Sequence, residues 1–277
     1  MKPQVQSDWL RAGCKLNLFL HVNGRRADGY HELQTYFQLL DYGDEIHIDT
    51  DVHSGIRLDW IAGEEDLAGR PADVHDDLLY RAAATLCVEA RERQPGCPCN
   101  VHITVRKHAP VGAGLGGGSA AAACVLLELN RRWELGLSID RLSEIGLRLG
   151  ADVPVFLRGR SATAHGIGDE LHPTELPRAP DWYLILVPER RAPTAALFAS
   201  PELERDTPKQ PDEALLAHWR EAGFNAFEPV ILEHDPQLAA LRDDLANLAG
   251  FARLTGSGAC LFAPVQSAEA GRRIAGE

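Results

Sequence analysis

The feature that most constrains this chain is a run of glycines between a predicted strand and a predicted helix. Residues 110–119 read PVGAGLGGGS, so five of ten positions are glycine. Glycine permits positive φ and lets another group approach the backbone closely. Alternating residues predict a strand at 101–105, and an alanine- and leucine-rich stretch predicts a helix at 119–133. Because a helix N-terminus presents amide groups without intrahelical partners and favours an anion, the segment predicts a phosphate-binding loop.

Several other readings of this glycine loop fit less well. Gly112, Gly114 and Gly117 satisfy the G-x-G-x-x-G pattern of dinucleotide-binding folds. However, that pattern belongs in a first βαβ unit, with an acidic residue about 20 positions further on, and this chain offers neither. The sequence also lacks the Gly-Lys-Ser/Thr of a Walker A loop and the H-R-D and D-F-G motifs of protein kinases. A glycine hinge that only packs a helix against a sheet is the structural alternative.

Local patterns predict an α+β chain in two lobes, the first at residues 1–158 and the second at 159–277. Residues 14–22 alternate strictly, which predicts a strand with one buried face and places Lys15 and Asn17 together on the other face. The apolar residues 153–157 predict a short strand. Further strands are predicted at 33–40, 45–49, 56–60, 183–187, 251–255 and 259–263, and further helices at 78–93, 138–150, 193–199, 213–221 and 238–249.

Composition narrows the classes of partner. The formal net charge of −12 argues against a general nucleic-acid surface. No apolar run approaches the length of a membrane span, and the first residues lack the order of a signal peptide. Of the six cysteines, only Cys97 and Cys99 are close in sequence, and no second pair completes a zinc site. We therefore expect a cytoplasmic protein with free thiols, no nucleic-acid partner and no membrane anchor.

Five segments together resemble the GHMP kinase family. They are the glycine loop, KLNLFL at 15–20, RADGYHEL at 26–33, LGADVPVF at 149–156 and LTGSGAC at 254–260. They follow the family's order and cover most of the chain. The doubled glycines and the Tyr30-His31 pair resemble the branch that phosphorylates a cytidyl sugar alcohol in non-mevalonate isoprenoid synthesis.

The resemblance implies a fold and a reaction. The expected fold is the two-lobed GHMP kinase fold, with an N-terminal lobe like domain 2 of ribosomal protein S5 and a ferredoxin-like C-terminal lobe. The expected reaction transfers the γ-phosphoryl group of ATP, with Mg²⁺, to the 2-hydroxyl of the cytidyl sugar alcohol. The sequence leaves open whether the protein is a monomer or a homodimer.

The resemblance also implies roles for individual residues. It pairs Lys15 with Asp152 at the catalytic centre, where the carboxylate accepts a proton or orients the hydroxyl. The substrate-binding residues it implies are Asn17, Tyr30, His31, Thr194 and Phe198. The ATP-binding residues it implies are Lys107, Pro110, Val111, Gly112, Ala113, Gly114, Leu115, Gly116, Gly117, Gly118 and Ser119. Taken alone, Asp152 would be a helix-end aspartate, Lys15 an exposed lysine and Phe198 a core residue.

This sequence departs from the family pattern at three places. Ala120 and Ala121 stand where the family usually has Ser followed by Asn or Asp, and Asp77 stands where Asn is common near the adenine. The resemblance also implies a final strand after the last helical segment. The alternatives to the cytidyl kinase are a GHMP kinase for another alcohol, a catalytically silent nucleotide-binding protein and a dinucleotide-dependent oxidoreductase. The metal ligands are left unassigned.

Overall fold

The computed structural model describes residues 9–50, 52, 55–61, 69–188 and 194–276. The chain divides into two compact units. The first contains the residues up to Cys14, Leu39–Val111 and Gly116–Gly159, and the second contains Lys15–Gln38, Gly112–Leu115 and Arg160–Glu277. The glycine loop is therefore divided between the two units.

Two long paired strands contribute residues to both units. They are β1 (Leu10–Arg25) and β2 (His31–Asp49). In the first unit, β4 (Val101–Arg106) lies antiparallel to the second half of β2 and parallel to β3 (Ile56–Ile61). The period-two alternation of β4 places Val101, Ile103 and Val105 on one buried face, as a half-buried strand requires.

Helices pack on these strands around the core of the first unit. They are α1 (Leu78–Arg93), α2 (Gly117–Arg132), α3 (Ile139–Leu149) and α4 (Val153–Arg158). Their core joins Ile46, Ile48 and Ile103 of the sheet to alanines and leucines of α1 and α2. The start of α3 is fixed by Ser138, whose Oγ accepts the N–H of Arg141 at 3.2 Å.

The second unit adds short strands and helices to the first part of the paired strands. Its strands are β5 (Ala162–His165), β6 (Glu170–Pro173), β7 (Trp182–Leu186), β8 (Arg253–Leu254) and β9 (Leu261–Val265). Its helices are α5 (Thr194–Ala199), α6 (Asp212–Ala217), α7 (Phe227–His234), α8 (Pro236–Ala249) and α9 (Ala268–Ala275). β5 pairs with β2 and β6, whereas β7, β9 and β8 form a separate antiparallel sheet in that order.

Most predicted elements are confirmed, and the α+β class is confirmed with them. The strand predicted at 153–157 is wrong, because these residues form α4. Pro154 sits in the first turn, where its missing N–H costs no helical hydrogen bond, and Gly159 ends the helix in the left-handed region. An apolar run this short does not distinguish a strand from a buried helix.

The prediction of a single buried face for residues 14–22 is also wrong. Every side chain from Cys14 to Val22 is buried. The two strands predicted at 33–40 and 45–49 are one continuous strand, and local patterns did not predict β5, β6 or α7. Within the described part of the chain, none of the helices has the length and apolar character to cross a membrane.

Candidate active site

The glycine loop follows β4 and leads directly into α2, as the sequence predicts. Gly112, Gly114 and Gly116 have φ of 69°, 85° and 71°, in the left-handed region that favours glycine. Gly116 precedes α2, so the helix begins at Gly117, two residues before the predicted start. Its first helical hydrogen bond runs from the N–H of Ala120 to the carbonyl of Gly116 at 2.9 Å. The amides at the beginning of this 16-residue helix are therefore arranged to receive an anion.

Lys15 joins β1 to the first half of the glycine loop within the second unit. Its backbone N–H donates to the carbonyl of Leu115 at 2.9 Å, and its Nζ donates to the carbonyl of Gly114 at 3.1 Å. The same Nζ donates to Oδ1 of Asn17 at 2.5 Å and lies 5.5 Å from the centroid of the Phe37 ring. The side chain is only 3% exposed, so hydrogen bonds on several sides hold the ammonium in place at the loop.

Asn17 sits in a buried hydrogen-bond network that the sequence did not predict. Its Nδ2 donates to Oγ1 of Thr35 at 2.8 Å, and its backbone N–H donates to Oγ1 of Thr255 at 2.8 Å. Thr35 in turn donates to the carbonyl of Phe19 at 2.5 Å. Sequence periodicity correctly places Lys15 beside Asn17, and this network fixes the amide so that Oδ1 faces the ammonium.

Lys107 is bound to a carboxylate that sequence reasoning missed. In the first unit its Nζ forms a buried ion pair with Asp44, which is fully buried. Oδ1 of Asp44 also accepts the backbone N–H groups of His108 and Ala109, both at 2.9 Å. Asp44 thus anchors the chain just before the glycine loop, and no local sequence signal marks a lone acid 63 residues from its lysine partner.

Asp152 lies at the N-terminus of α4, in the same unit as the start of α2. The α3–α4 turn approaches Ser119, because a Cβ built at Gly150 would lie 3.6 Å from the Ser119 Oγ. α2 and α4 also pack against each other. The structure therefore brings the turn that precedes Asp152 close to the first turn of α2.

His31 and Phe198 form an aromatic stack in the second unit. Their rings stack with centroids 4.9 Å apart and an interplanar angle of 24°, and Phe198 meets Phe227 edge-on at 4.8 Å. Nε of Arg205 contacts Nε2 of His31 at 3.2 Å. Burial, with the charges of Arg205 and Arg25 as further causes, lowers the pKa of His31, which favours the neutral imidazole.

Tyr30, next to His31, is 62% exposed. Its N–H donates to Oδ1 of Asp28 at 3.1 Å, and its carbonyl accepts from the N–H of Arg26 at 2.8 Å, so the backbone of this turn is held while the phenol faces outward. Thr194 begins α5, but its side chain lies outside the part of the chain that the structure describes.

The three departures from the family pattern have local structural roles. Ala120 and Ala121 are 3% and 1% exposed and belong to the core of the first unit. Asp77 caps α1 by accepting the N–H of Leu79 at 2.9 Å. Burial raises the pKa of Asp77, and the hydrogen bond from Leu79 opposes that rise.

Two family models match the chain. The model of the GHMP kinases N terminal domain matches residues 77–160, and the model of the GHMP kinases C terminal domain matches residues 199–277. Together they cover more than half of the sequence, including the glycine loop, Asp152 and the Gly256-Ser257-Gly258 turn.

Curated relatives and a solved structure agree with these models. A 4-diphosphocytidyl-2-C-methyl-D-erythritol kinase of Haemophilus ducreyi is 47% identical over 93% of this chain and 86% of its own. One of Marinobacter nauticus is 44% identical over 96% of this chain and 88% of its own. A crystal structure of 4-(cytidine 5'-diphospho)-2C-methyl-D-erythritol kinase superposes with a TM-score of 0.78 at 34% identity, covering 97% of this chain and 94% of that one.

These similarities extend over both lobes and confirm the GHMP kinase fold that the sequence predicts. The identities to the relatives are well above the level at which only the fold is shared. The chain belongs to the GHMP kinase family of ATP-dependent phosphotransferases, in the branch of the 4-diphosphocytidyl-2-C-methyl-D-erythritol kinases.

Proposed function

We propose that this chain transfers the γ-phosphoryl group of ATP to the 2-hydroxyl of 4-diphosphocytidyl-2-C-methyl-D-erythritol, a step of the non-mevalonate route to isoprenoids. The observation that carries the proposal is the hydrogen bond from Lys15 Nζ to the carbonyl of Gly114. It holds a buried ammonium at the loop that receives the triphosphate. Phosphoryl transfer depends mainly on positioning and on charge stabilisation, which such a group supplies.

ATP binds with its phosphates along the glycine loop and at the start of α2. The backbone amides of Gly117, Gly118 and Ser119 face the anion, and the helix dipole adds a favourable field. Lys107 acts indirectly in this assignment. Its ion pair with Asp44 positions the residues that lead into the loop.

A Mg²⁺ ion bound together with ATP would supply neutralisation of phosphate charge at this site. Mg²⁺ typically takes few protein ligands and completes its shell with water and phosphate oxygens. The Ser119 hydroxyl, in the first turn of α2, is an oxygen donor that would fit such an ion. Removal of Mg²⁺ with a chelator is expected to stop turnover.

Asp152 orients the acceptor hydroxyl and accepts its proton as the phosphoryl group transfers. Lys15 stabilises the charge that develops at the reacting oxygens, and Asn17 contacts the methylerythritol part from the same face of β1. Tyr30, His31 and Phe198 hold the cytosine, with stacking from the aromatic rings and a hydrogen bond from the imidazole. Thr194 adds a polar contact to the substrate.

The setting is a cytoplasmic one in this proposal. All six cysteines are free thiols, and four of them are buried, as in proteins of a reducing compartment. The partners are the two small-molecule substrates, without nucleic acid or membrane. Whether the protein works as a monomer or a homodimer stays a prediction for solution measurements.

The decisive experiment measures ADP release from Mg-ATP with three alcohols: 4-diphosphocytidyl-2-C-methyl-D-erythritol, homoserine and mevalonate. Turnover with the cytidyl compound alone is expected. Asp152→Asn should lower kcat by about a hundredfold or more while ATP affinity stays near that of the wild type. Asp244→Asn on the exposed face of α8 is the matched control and should leave kcat unchanged.

A second variant tests the base pocket. Tyr30→Ala should raise KM for the cytidyl substrate by about tenfold and leave KM for ATP near its original value, because only the base loses a stacking partner. Equal rises in both KM values would refute the assignment of Tyr30 to the cytosine. Wild-type turnover by Asp152→Asn would refute its catalytic role.

A further inference from the structure

The guanidinium of Arg205 forms four hydrogen bonds, one to His31 and three to backbone carbonyls. NH1 donates to the carbonyl of Leu203 at 2.9 Å, and NH2 donates to the carbonyls of Phe198 and Ser200 at 2.9 and 2.6 Å. Nε donates to Nε2 of His31 at 3.2 Å. One side chain therefore ties the end of α5, which carries Phe198, to the first residue of β2.

The contact between Arg205 and His31 determines where the imidazole carries its proton. Arginine stays protonated in proteins, and its guanidinium has donors but no acceptor. Nε2 of His31 must therefore offer a lone pair. A neutral imidazole that accepts at Nε2 carries its hydrogen at Nδ1, so the ring is a donor through Nδ1 alone.

We propose that Arg205 is a positioning residue of the base pocket, which fixes His31 as the Nδ1–H tautomer and holds Phe198 in its stacked position. This inference rests on the proposed function for its kinetic consequences. The tautomer itself does not depend on the proposed function, because the hydrogen bond from Arg205 is present in the protein without substrate.

The position of the ring is restrained as well as its proton. Phe198 stacks on one face of His31, and the backbone carbonyl of Phe198 accepts a hydrogen bond from Arg205. Phe227 supports Phe198 edge-on. Rotating the imidazole by a half turn about the Cβ–Cγ bond would place the Cε1–H group where Nε2 lies, so the hydrogen bond from Arg205 would be lost.

The fixed tautomer has a consequence for base selection. Cytosine presents N3 and O2 as acceptors beside an amino donor, whereas uracil has N3–H in place of the N3 acceptor. An Nδ1–H donor pairs with N3 of cytosine or with the O2 carbonyl that both bases have, so it disfavours uracil where the ring faces N3. A pocket built to hydrogen-bond one group discriminates strongly against an analogue that leaves its polar atoms unpaired.

The first test is NMR of the free protein labelled with ¹⁵N-histidine at neutral pH. The His31 signals, assigned by their loss in His31→Gln, should show a protonated Nδ1 and an unprotonated Nε2. In Arg205→Met the His31 signals should shift towards the Nε2–H form, whereas in the matched control Arg272→Met, an exposed arginine of α9, they should not. A wild-type His31 in the Nε2–H or doubly protonated form would overturn the inference without any Arg205 variant.

The second test is kinetic and separates positioning from folding. Arg205→Met should raise KM for the cytidyl substrate by about tenfold, with kcat and KM for ATP within about twofold of the wild type. Arg205→Lys keeps a donor for Nε2 but loses most carbonyl contacts, so it should lose thermal stability and still retain the Nδ1–H signals. Loss of stability by Arg205→Met with an unchanged tautomer would assign Arg205 a structural role only.

The two proposals fail in different ways. If the wild type turns over no cytidyl substrate, the proposed function fails, and the NMR result on His31 still decides the tautomer. If turnover is normal and His31 has its proton on Nε2, only the inference about Arg205 fails.

Discussion

The two halves of the glycine loop use glycine for different physical reasons. In the first half, Gly114 is pressed against the turn after β8, since a Cβ at that position would lie 2.2 Å from the carbonyl oxygen of Thr255. Gly256 makes the same contact from the other side, because a Cβ built at this position would lie 2.7 Å from the carbonyl oxygen of Gly114. In the second half, a Cβ at Gly118 would meet only the Leu78 side chain, at 3.4 Å.

This difference separates a glycine that packing requires from one that packing does not require. The contact between Gly114 and Gly256 brings two backbones closer than any side chain allows, and it lies beside the carbonyl that binds Lys15. Gly118 lies in the first turn of α2, where the protein leaves space for a methyl group. Because packing does not demand a glycine at this position, we propose that Gly118 serves the close approach of a phosphate to its backbone.

The largest expected effect is that of Gly114→Ala. The new methyl group collides with a backbone carbonyl, and the residue has φ of 85°, so we expect a loss of about 3 kcal/mol or more in the free energy of unfolding. Urea denaturation measures it. Gly136→Ala is the matched control, because Gly136 has φ of 64° with nothing near its Cβ, and it should lose only about 1 kcal/mol. Equal losses in both would mean that backbone strain alone sets the cost.

Gly256→Ala should lower the free energy of unfolding by about 2 kcal/mol. The loss is smaller than for Gly114→Ala, because the built Cβ lies 2.7 Å from the nearest backbone atom rather than 2.2 Å. The double variant Gly114→Ala/Gly256→Ala should lose less than the sum of the single variants, because both remove one contact. A double-mutant cycle by urea denaturation measures the coupling. Simple additivity would show that the two glycines act independently.

Local sequence patterns predicted the loop, its flanking strand and helix, and the pairing of Lys15 with Asn17. They did so because glycine content and period-two alternation are properties of neighbouring residues. The same local reasoning failed at residues 153–157, where five apolar residues fit a strand as well as α4. There the deciding feature, a proline in the first turn, is compatible with a helix only at that position.

The residues that sequence reasoning missed act over long separations along the chain. Asp44 binds Lys107 across 63 positions, and Arg205 binds His31 across 174. Neither residue belongs to a repeating pattern, and each has meaning only once the fold brings its partner near. The burial of Lys15 was missed for the same reason, since a strand's alternation says nothing about what covers its second face.

A smaller effect is expected for Gly117→Ala. A Cβ there would lie 3.0 Å from the Ala109 Cβ, beside the chain that Asp44 anchors, so the neighbour must move by a few tenths of an ångström. Alanine's better helix propensity partly offsets this crowding, and the net loss of stability should be about 1 kcal/mol. Thermal unfolding with and without ATP measures it. A stabilised variant would show that the start of α2 is packed more loosely than the structure indicates.

The smallest effect on stability, and the most informative one, is that of Gly118→Ala. Helix propensity should raise the free energy of unfolding by about 0.5 kcal/mol, since the methyl group makes only an ordinary contact with Leu78. The same methyl group should obstruct the approach of a phosphate, so KM for ATP should rise by about tenfold. Gly271→Ala in α9, with its nearest neighbour at 3.5 Å, should gain similar stability and leave KM for ATP unchanged. A variant that keeps wild-type KM for ATP would break the comparison, because Gly118 would then be required neither by packing nor by the ligand.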